Sequence, residues 1–435
     1  MSHMVSSRLK QIPPRRSATV ATLDVGTSKI ACLIARLSPE RDERGGWRTH
    51  RAQTLGIGHQ RSRGVKNGLI VDMDEAELAI RQCVEAAERM AGLQIDRVVV
   101  TASGGRLASQ HFAAKTAIGG REVVDADVHR VLEASANHPT AQGRFVLHSL
   151  PTAFSLDGAV GVREPKRMVG DELGVDLHVA SCDRAAARNL LMAVERGHLA
   201  IDAFVAAPYA AGLGVLEPDE AEMGAVVIDM GAGSTSIAVF MGGDLVHVDA
   251  NIYSGAHVTN DIARVLNTRL SDAERLKTMH GAAISSPSDE RESVAYDNVG
   301  ESSAHSAHVP KSHLVRVIRP RVEETLEFLR DRLARAGYGP AAGQRIVLTG
   351  GASQLTGMPE AARRILGGQV RVGRPVGVEG LPDAAATPAF AAAAGLLVYP
   401  QVAGREYFEP RREERRANGT DGYVSRVGRW LKESF

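Results

Sequence analysis

Two short stretches carry the residue types that handle a polyphosphate. In VATLDVGTSKIACLI (20–34) an apolar run ends in Asp24, the turn holds Gly26, Thr27, Ser28 and Lys29, and a second apolar run leads away. In VVIDMGAGSTSIAVF (226–240), 205 positions further on, a run of Val and Ile ends in Asp229, and Gly231, Ala232, Gly233, Ser234 and Thr235 form the turn. Apolar, turn, apolar predicts a β-hairpin. The glycines let backbone approach a ligand closely and aim N–H groups at an anion, while the hydroxyls and the Lys29 ammonium suit phosphate oxygens. A carboxylate at a strand end beside phosphates can hold Mg2+ through its waters, which is the expectation for Asp24 and Asp229. A single Asp-x-Gly turn reads as an ordinary exposed turn. Two of them predict related halves that face a shared polyphosphate. Matching Ile30-Ala31 to Ile237-Ala238 further predicts a two-residue shift between the turns.

Other stretches could complete such a site. Glu274 and Lys277 stand three apart on one helical face, which reads as a surface ion pair or as two polar groups gripping a ribose or adenine. RIVLTGGASQL (345–355) reads as a buried strand, a double-glycine turn and a helix, and Gly350-Gly351 permits contact with a flat ligand such as adenine. TASGGR (101–106) lacks a following helix with phosphate-loop spacing and reads as a plain turn.

The elements that position these residues follow from pattern. A chain of 435 residues accommodates two to four domains with a sizeable core. A net charge of +1 offers no basic field suited to nucleic acid and no acidic tail. Cys32, Cys83 and Cys182 lie far apart without a CxxC pair, which argues against a disulfide framework or zinc site and fits a reducing cytoplasm. The opening MSHMVSSRLKQIPPRR is basic but has no apolar segment behind it, unlike a signal peptide, and residues 1–17 are expected to be disordered. The longest apolar run, 389–399, has 11 residues, short of the roughly 20 that span a bilayer.

Helical spacing predicts a helix over 74–92. A mixed block over 97–174 reads as a domain inserted in the first half. The stretch 284–310 reads as an exposed loop with short strands. An amphipathic helix is expected from Pro320 to Gly337, and a helix of small residues over 387–399, as two closely crossing helices need. The globular part is expected to end near Pro400, followed by a charged linker over 401–420 with too little apolar content to fold. In the final GYVSRVGRWLKESF, Val424, Val427, Trp430, Leu431 and Phe435 share one helical face, and Arg426, Arg429, Lys432 and Glu433 the other. A short aromatic-bearing, largely basic amphipathic helix on a tether reads as an anchor for anionic membrane lipid, against the alternative of a helix docked on its own body or on a partner.

Together these stretches resemble the actin/Hsp70/sugar-kinase superfamily. The two hairpins correspond to its phosphate motifs, VLTGGASQL to its adenosine motif, and PYAAGLGVL and AFAAAAGLLVY to its two connecting helices. From about residue 18 onward the order of SRGVKNGLIVD, VLHSLP, DIA…SDAERLK, VIRPR and GRWLKESF resembles the bacterial cell-division FtsA family. The resemblance implies an α/β, actin-like two-lobed fold with an inserted α+β subdomain and a C-terminal amphipathic helix. The first lobe would be 18–96 and 175–217, the second-lobe core 218–254 and 338–400, its upper subdomain 255–337, and the membrane helix 421–435.

The resemblance further implies ATP with Mg2+ organised by Asp24 and Asp229. Gly26 to Lys29 and Gly231 to Thr235 would cradle phosphates, Glu274 and Lys277 would contact ribose and base, and Gly350, Gly351, Ala352 and Gln354 the adenosine. It implies filaments on the cytoplasmic face of the inner membrane at the division septum. Such filaments tether the FtsZ ring and recruit other divisome proteins, with weak or no ATPase activity. The FtsZ C-terminal tail would meet 255–337, where Lys311, Arg316 and Arg321 are the expected contacts. Two departures stand out. Ala232 replaces a family glycine, harmless if its φ is negative, and Ser236 stands where the family has an Asp, which weakens any hydrolytic role. Another membrane-associated actin-like assembly ATPase is the nearest alternative. A small-molecule kinase would need a base at a substrate cleft, and none is identifiable. An Hsp70-like chaperone would need a peptide-binding domain, and 35 residues follow Pro400.

Overall fold

The structure is a computed structural model that describes residues 9, 11–40, 48–137, 141–299, 307–339 and 344–408. The chain starts with a meander of β1 (Ala18–Val25), β2 (Lys29–Pro39) and β3 (His50–Arg61), joined as antiparallel neighbours. Helix α1 (Met73–Ala91) follows. Asp72 caps it by accepting the Glu75 N–H, and Gly92 ends it in the left-handed conformation, so the predicted helix 74–92 is present. Its buried stripe of Ala76, Ala79, Ile80, Cys83, Val84 and Ala87 covers the sheet.

Strand β4 (Arg97–Ala102) pairs in parallel with β1 and with β9 (Ala200–Ala206), giving the order β9-β4-β1-β2-β3. This corrects the start of the inserted block, placed at 97 from the sequence. The run Val98-Val99-Val100 is buried on both faces, as an inner parallel strand must be. Between β4 and β9 come β5 (Ala108–Glu122), α2 (Asp125–Ala136), β6 (Arg144–Leu156), β7 (Ala159–Val162), β8 (Val169–Asp183) and α3 (Arg184–Arg196). The four strands form one sheet in the order β5-β8-β6-β7.

Residues 112–139 and 153–177 belong to a separate smaller compact unit. It has its own core of Ile118, Val123, Val131, Leu156, Leu173 and Val175. There the buried Asp127 accepts from Arg121 and Arg130 and caps α2 through the Val124 N–H. The Arg121 hydrogen bonds hold its carboxyl well below the usual carboxylate range.

The second half repeats the first. After α4 (Ala207–Val215) and α5 (Pro218–Met223) comes the meander β10 (Ala225–Met230), β11 (Thr235–Met241) and β12 (Asp244–Asn251). Helices α6 (Gly255–Val265) and α7 (Leu270–His280), the hairpin β13 (Ser293–Tyr296) with β14 (Ala307–Pro310), and α8 (Lys311–Arg335) form the upper part. Then β15 (Arg345–Thr349), α9 (Met358–Leu366) and β16 (Gln369–Val372) complete a sheet ordered β12-β11-β10-β15-β16. Both large sheets thus share an antiparallel meander continued by two parallel strands, and in the first a short sixth strand, Val378–Glu379, adds in parallel to the other edge of β3. Helix α8 begins nine residues before Pro320 and runs through it. The cost of the missing backbone N–H is offset by the buried Leu314, Val315 and Ile318, which extend its apolar stripe toward the start.

The last helix, α10 (Ala391–Val402), crosses α4. Both are buried along their whole length, and side chains of both lobes close around them: Val227, Ala238 and Phe240 against α4, Ala31, Leu33 and Ala35 against α10. Glycines make the crossing possible. A Cβ at Gly395 would lie 1.6 Å from the Ala210 carbonyl oxygen, and one at Gly214 2.3 Å from that of Ala391.

Two expected boundaries shift. The body continues past Pro400 to Glu406, whose buried carboxylate is held 2.8 Å from His148 Nδ1. Residues 11–17, expected to be disordered, are placed: Ile12 is buried and donates its N–H to the Pro400 carbonyl at 3.1 Å. The amphipathic helix expected at 421–435 lies outside the described residues.

The crossing yields a prediction. Gly395→Ala should lower stability by about 1–3 kcal/mol or more through overpacking against backbone. An unchanged denaturation midpoint would show that the helices part without cost.

Candidate functional site

Each hairpin turn is closed by the same bond. Gly26 N–H donates to the Lys29 carbonyl at 3.0 Å, and Gly231 N–H to that of Ser234 at 2.9 Å. Val25 faces Ile30 and Asp24 faces Ala31, while Met230 faces Thr235 and Asp229 faces Ser236. The turns are therefore equal in length, and the expected two-residue shift is absent. The apolar match misled because Thr235 and Ser236, both buried, fill strand positions that Ile30 and Ala31 fill in the first hairpin. The φ of Ala232 is not positive, so alanine is tolerated there.

The two turns meet. A Cβ on Gly233 would lie 2.1 Å from Thr27 Oγ1 and 2.9 Å from Asn67 Cα, so only glycine fits. Around this contact opens a cavity of about 320 Å³. The predicted residues Asp24, Gly26, Thr27, Ser28, Lys29, Asp229, Gly231, Gly233, Ser234, Glu274, Lys277, Gly350, Gly351, Ala352 and Gln354 all line it. Thr235 does not. Its buried hydroxyl opens instead onto an adjoining cavity of about 300 Å³ lined also by Val258, Lys277, Val322, Leu355 and Met358.

The carboxylates differ in support. Asp24 accepts from the buried Thr101 hydroxyl at 2.7 Å and lies 3.5 Å from Lys29 Nζ. That ammonium also lies 4.4 Å above the Phe390 ring. Asp229 receives no side-chain donor among the described residues. Its pKa is pushed up to about 7 by burial first and the charge of Asp24 second, with Lys29 opposing. Two hard carboxylate oxygens on facing strand ends suit Mg2+ that completes its shell with phosphate and water. Among the described residues no cluster of three or more His, Cys, Asp or Glu could hold a metal by itself.

Glu274 and Lys277 form the expected ion pair, and they do so at the cavity. Lys277 Nζ donates to Glu274 Oε2 at 2.7 Å, to Thr259 Oγ1 at 2.9 Å and to the Gly255 carbonyl at 3.2 Å, so the ion pair is real and lies in the cleft. Gly350 has φ +82°, and a Cβ there would meet Asp229 Oδ1 at 2.4 Å. A single turn of 3-10 helix over Gly351–Gln354 follows, with the expected α-helix delayed to Met358.

Some contributors were missed. Thr101 opens the TASGGR stretch that was set aside as a plain turn, and Ser103 of the same stretch lines the cavity. Ser236 enters the cleft beside Asp229. The two-residue hairpin Asn67-Gly68 brings the Gly68 N–H to Thr27 Oγ1 at 2.9 Å, and its Asn-Gly between apolar residues was the available signal. The three expected partner contacts lie on α8 outside the cleft and are already engaged. Lys311 pairs with Glu292 and Asp289, Arg321 with Asp261 and Glu324, and Arg316 with Glu290.

Two matched lobes, a cleft between facing hairpins and a buried helix crossing define an α/β protein of the actin-like ATPase fold. Solved structures with that fold include a chain of a PilM-PilN type IV pilus biogenesis complex (TM-score 0.60, 18% identity, covering 88% of this chain and 99% of that one). MreB5 of Spiroplasma citri bound to ADP is another (TM-score 0.50, 14% identity, covering 89% and 97%). In sequence, the family model described as cell division protein FtsA matches residues 226–395, and that of the SHS2 domain inserted in FtsA matches 104–181. Curated relatives named cell division protein FtsA are 50% identical in Rhizobium meliloti (98% of this chain, 97% of the relative) and 32% identical in Escherichia coli (96% and 98%). The chain belongs to the FtsA family of cell-division proteins.

Asp229 gives a pH prediction. Its folded pKa of about 7 stands above the unfolded value of about 3.9, so the folded state holds the extra proton. Stability from this group is full below about pH 4 and lost as pH rises to about 7. Without nucleotide, Asp229→Asn should therefore gain on the wild type across that window and be the more stable protein at pH 8. Chemical denaturation at several pH values reads this. Parallel curves would show that the Asp229 proton is not linked to folding.

Proposed function

We propose that this chain binds ATP with Mg2+ between its lobes, polymerises on the inner face of the cytoplasmic membrane, and tethers the FtsZ ring at the septum through the FtsZ C-terminal tail, recruiting later divisome proteins. The observation that carries the reading is the pair of facing hairpins, which bring Asp24, Asp229 and Lys29 into one cavity. MreB5, of the same fold, is seen with ADP and with AMPPNP.

Asp24 and Asp229 would hold the waters of Mg2+, which supplies charge neutralisation for the phosphates when bound. The N–H groups of the two turns would face phosphate oxygens, and Glu274, Lys277 and Gly350 to Gln354 would frame the adenosine. The carboxylates lining the cavity are Asp24, Asp229 and Glu274, and Glu274 is occupied by Lys277 and Thr259. With Ser236 opposite Asp229, the cleft favours ATP as a structural ligand over rapid turnover.

No helix among the described residues is long and apolar enough to cross a membrane. The membrane contact is assigned to 421–435. Five apolar side chains at about 1.5–3 kcal/mol each oppose the ordering of some 12 residues at about 1–2 kcal/mol each. Apolar burial alone does not cover the ordering cost, and anionic lipid adds about 1 kcal/mol per basic residue. One copy binds transiently; a filament binds firmly, because neighbouring anchors re-engage at high effective concentration. The FtsZ tail is assigned to 255–337. Of the three expected contacts, Arg316, with its side chain 71% exposed, is the most open to an acidic partner, whereas Lys311 and Arg321 are 22% and 25% exposed.

ATP with Mg2+ should raise the melting temperature by mass action, and Asp229→Ala should abolish the shift. A wild-type protein indifferent to millimolar nucleotide would sink the site assignment. Removing 422–435, or Trp430→Glu, should leave that shift intact but abolish co-sedimentation with anionic vesicles and the recruitment of FtsZ to them. Arg316→Glu should weaken only the FtsZ step, most at low salt. Vesicle binding by the truncated protein would move the anchor elsewhere.

A further inference from the structure

The segment before β1 is tied to the place where the chain leaves the body. Gln11 Nε2 donates to the Gln401 carbonyl at 2.8 Å, and the Ile12 N–H to that of Pro400 at 3.1 Å. A Cβ on Gly404 would run into the Gln11 side chain. Farther along, the Arg16 carbonyl accepts from His50 Nε2 at 2.9 Å, and the His50 N–H donates to Gln401 Oε1 at 3.0 Å. Residues 11–16 are thus fastened to the last turn of α10, two to six residues before Glu406.

This fastening presents cations. Arg15 and Arg16 are exposed, and so is Arg36, which lies on β2 opposite Thr19, three residues beyond Arg16. None of the three has a carboxylate partner among the described residues. At the far end of β2 the exposed carboxylate is Glu40.

We infer that Arg15, Arg16 and Arg36 form a second membrane contact, an electrostatic one for anionic lipid headgroups at the root of the C-terminal tether. The proposal rests on reading 421–435 as the membrane anchor. Tyr407 still hydrogen-bonds His129 of α2 at 2.9 Å, and from Phe408 the residues 409–420 can span at most about 40 Å. The surface around Gln11 to Arg16, fastened two to six residues before Glu406, therefore stays within reach of the bilayer once the anchor inserts. Charges kept there act at high effective concentration, although too weak to bind alone. The basic face of the anchor itself, Arg426, Arg429 and Lys432, suits the same anionic surface. A two-signal attachment of this kind gives firm binding where one short amphipathic helix does not, and it fixes which side of the body faces lipid.

The test uses the full chain on vesicles of phosphatidylcholine alone or with phosphatidylglycerol, comparing wild type, Arg15→Gln/Arg16→Gln, Arg15→Glu/Arg16→Glu and Trp430→Glu. At about 1 kcal/mol per charge, the Gln pair should weaken binding to phosphatidylglycerol vesicles roughly tenfold or more, and the Glu pair further. Both effects should shrink as salt rises. Binding to phosphatidylcholine alone should be unchanged, and melting temperatures should match the wild type because both side chains are exposed. Wild-type affinity of the Glu pair for anionic vesicles overturns the proposal, and so does an equal loss on both kinds of vesicle. Retention by Trp430→Glu separately overturns the anchor, whatever the Arg variants do.

Discussion

Two carboxylates stand at facing strand ends with one nearby ammonium, Lys29, paired to Asp24 and, among the described residues, none to Asp229, and the rest of the molecule is arranged to make that tolerable. Unpaired, each would take up a proton or pull the strand ends apart. The buried crossing of α4 and α10 keeps the two sheets close, with Gly395 against Ala210 setting how closely. The contact of Gly233 with Thr27 sets the separation of the turns. On the proposed reading a divalent cation with phosphates would supply the missing positive charge. The placing of the carboxylates and the two-lobed architecture are in any case one requirement.

Much of this was legible because it is written locally. Asp24 and Asp229, each one residue before the residue that precedes a glycine, ended the only two strand-turn-strand patterns of their kind, and both reached the cleft. The small residues of α4 and α10 announced a close crossing. The register of the second hairpin was not legible, because hydroxyl residues in buried strand positions, Thr235 and Ser236, look like turn residues in sequence. Strand β4 was assigned to the wrong domain because a buried parallel strand carries no mark of which sheet it joins. The role of Thr101 depends on tertiary placement alone, whereas the Asn67-Gly68 tip carried an Asn-Gly turn signal whose partner, Thr27, is set only by the fold.

Surface charge was the least legible feature. Lys311, Arg316 and Arg321 looked like free cations in a near-neutral chain, yet each finds acidic neighbours: Asp289 and Glu292, Glu290, and Asp261 and Glu324 respectively. Exposed pairs of this kind contribute little stability but cancel the local field. In a chain with 52 basic and 51 acidic residues, what matters is which cations the fold leaves unpaired. That pairing is a property of three dimensions, and it shifts attention from α8 toward the segment fastened to the end of α10.

The duplication also explains why the halves are not interchangeable. Asp229 pairs in register with Thr349, and Asp24 has Thr101 in the corresponding place on its parallel neighbour. In the first lobe that threonine donates to the carboxylate at 2.7 Å. In the second its hydroxyl turns away, toward the carbonyls of Gly373 at 3.1 Å and Pro388 at 3.2 Å, where it ties β15 to the segment that leads into α10. One threonine serves the carboxylate and the other serves the connection to the crossing helix. Asp24 is left compensated by the protein and Asp229 is left to be compensated by whatever enters the cleft. Asp229 and Thr349 are register partners, so the uncompensated strand end and the tie to the crossing helix sit side by side on neighbouring strands.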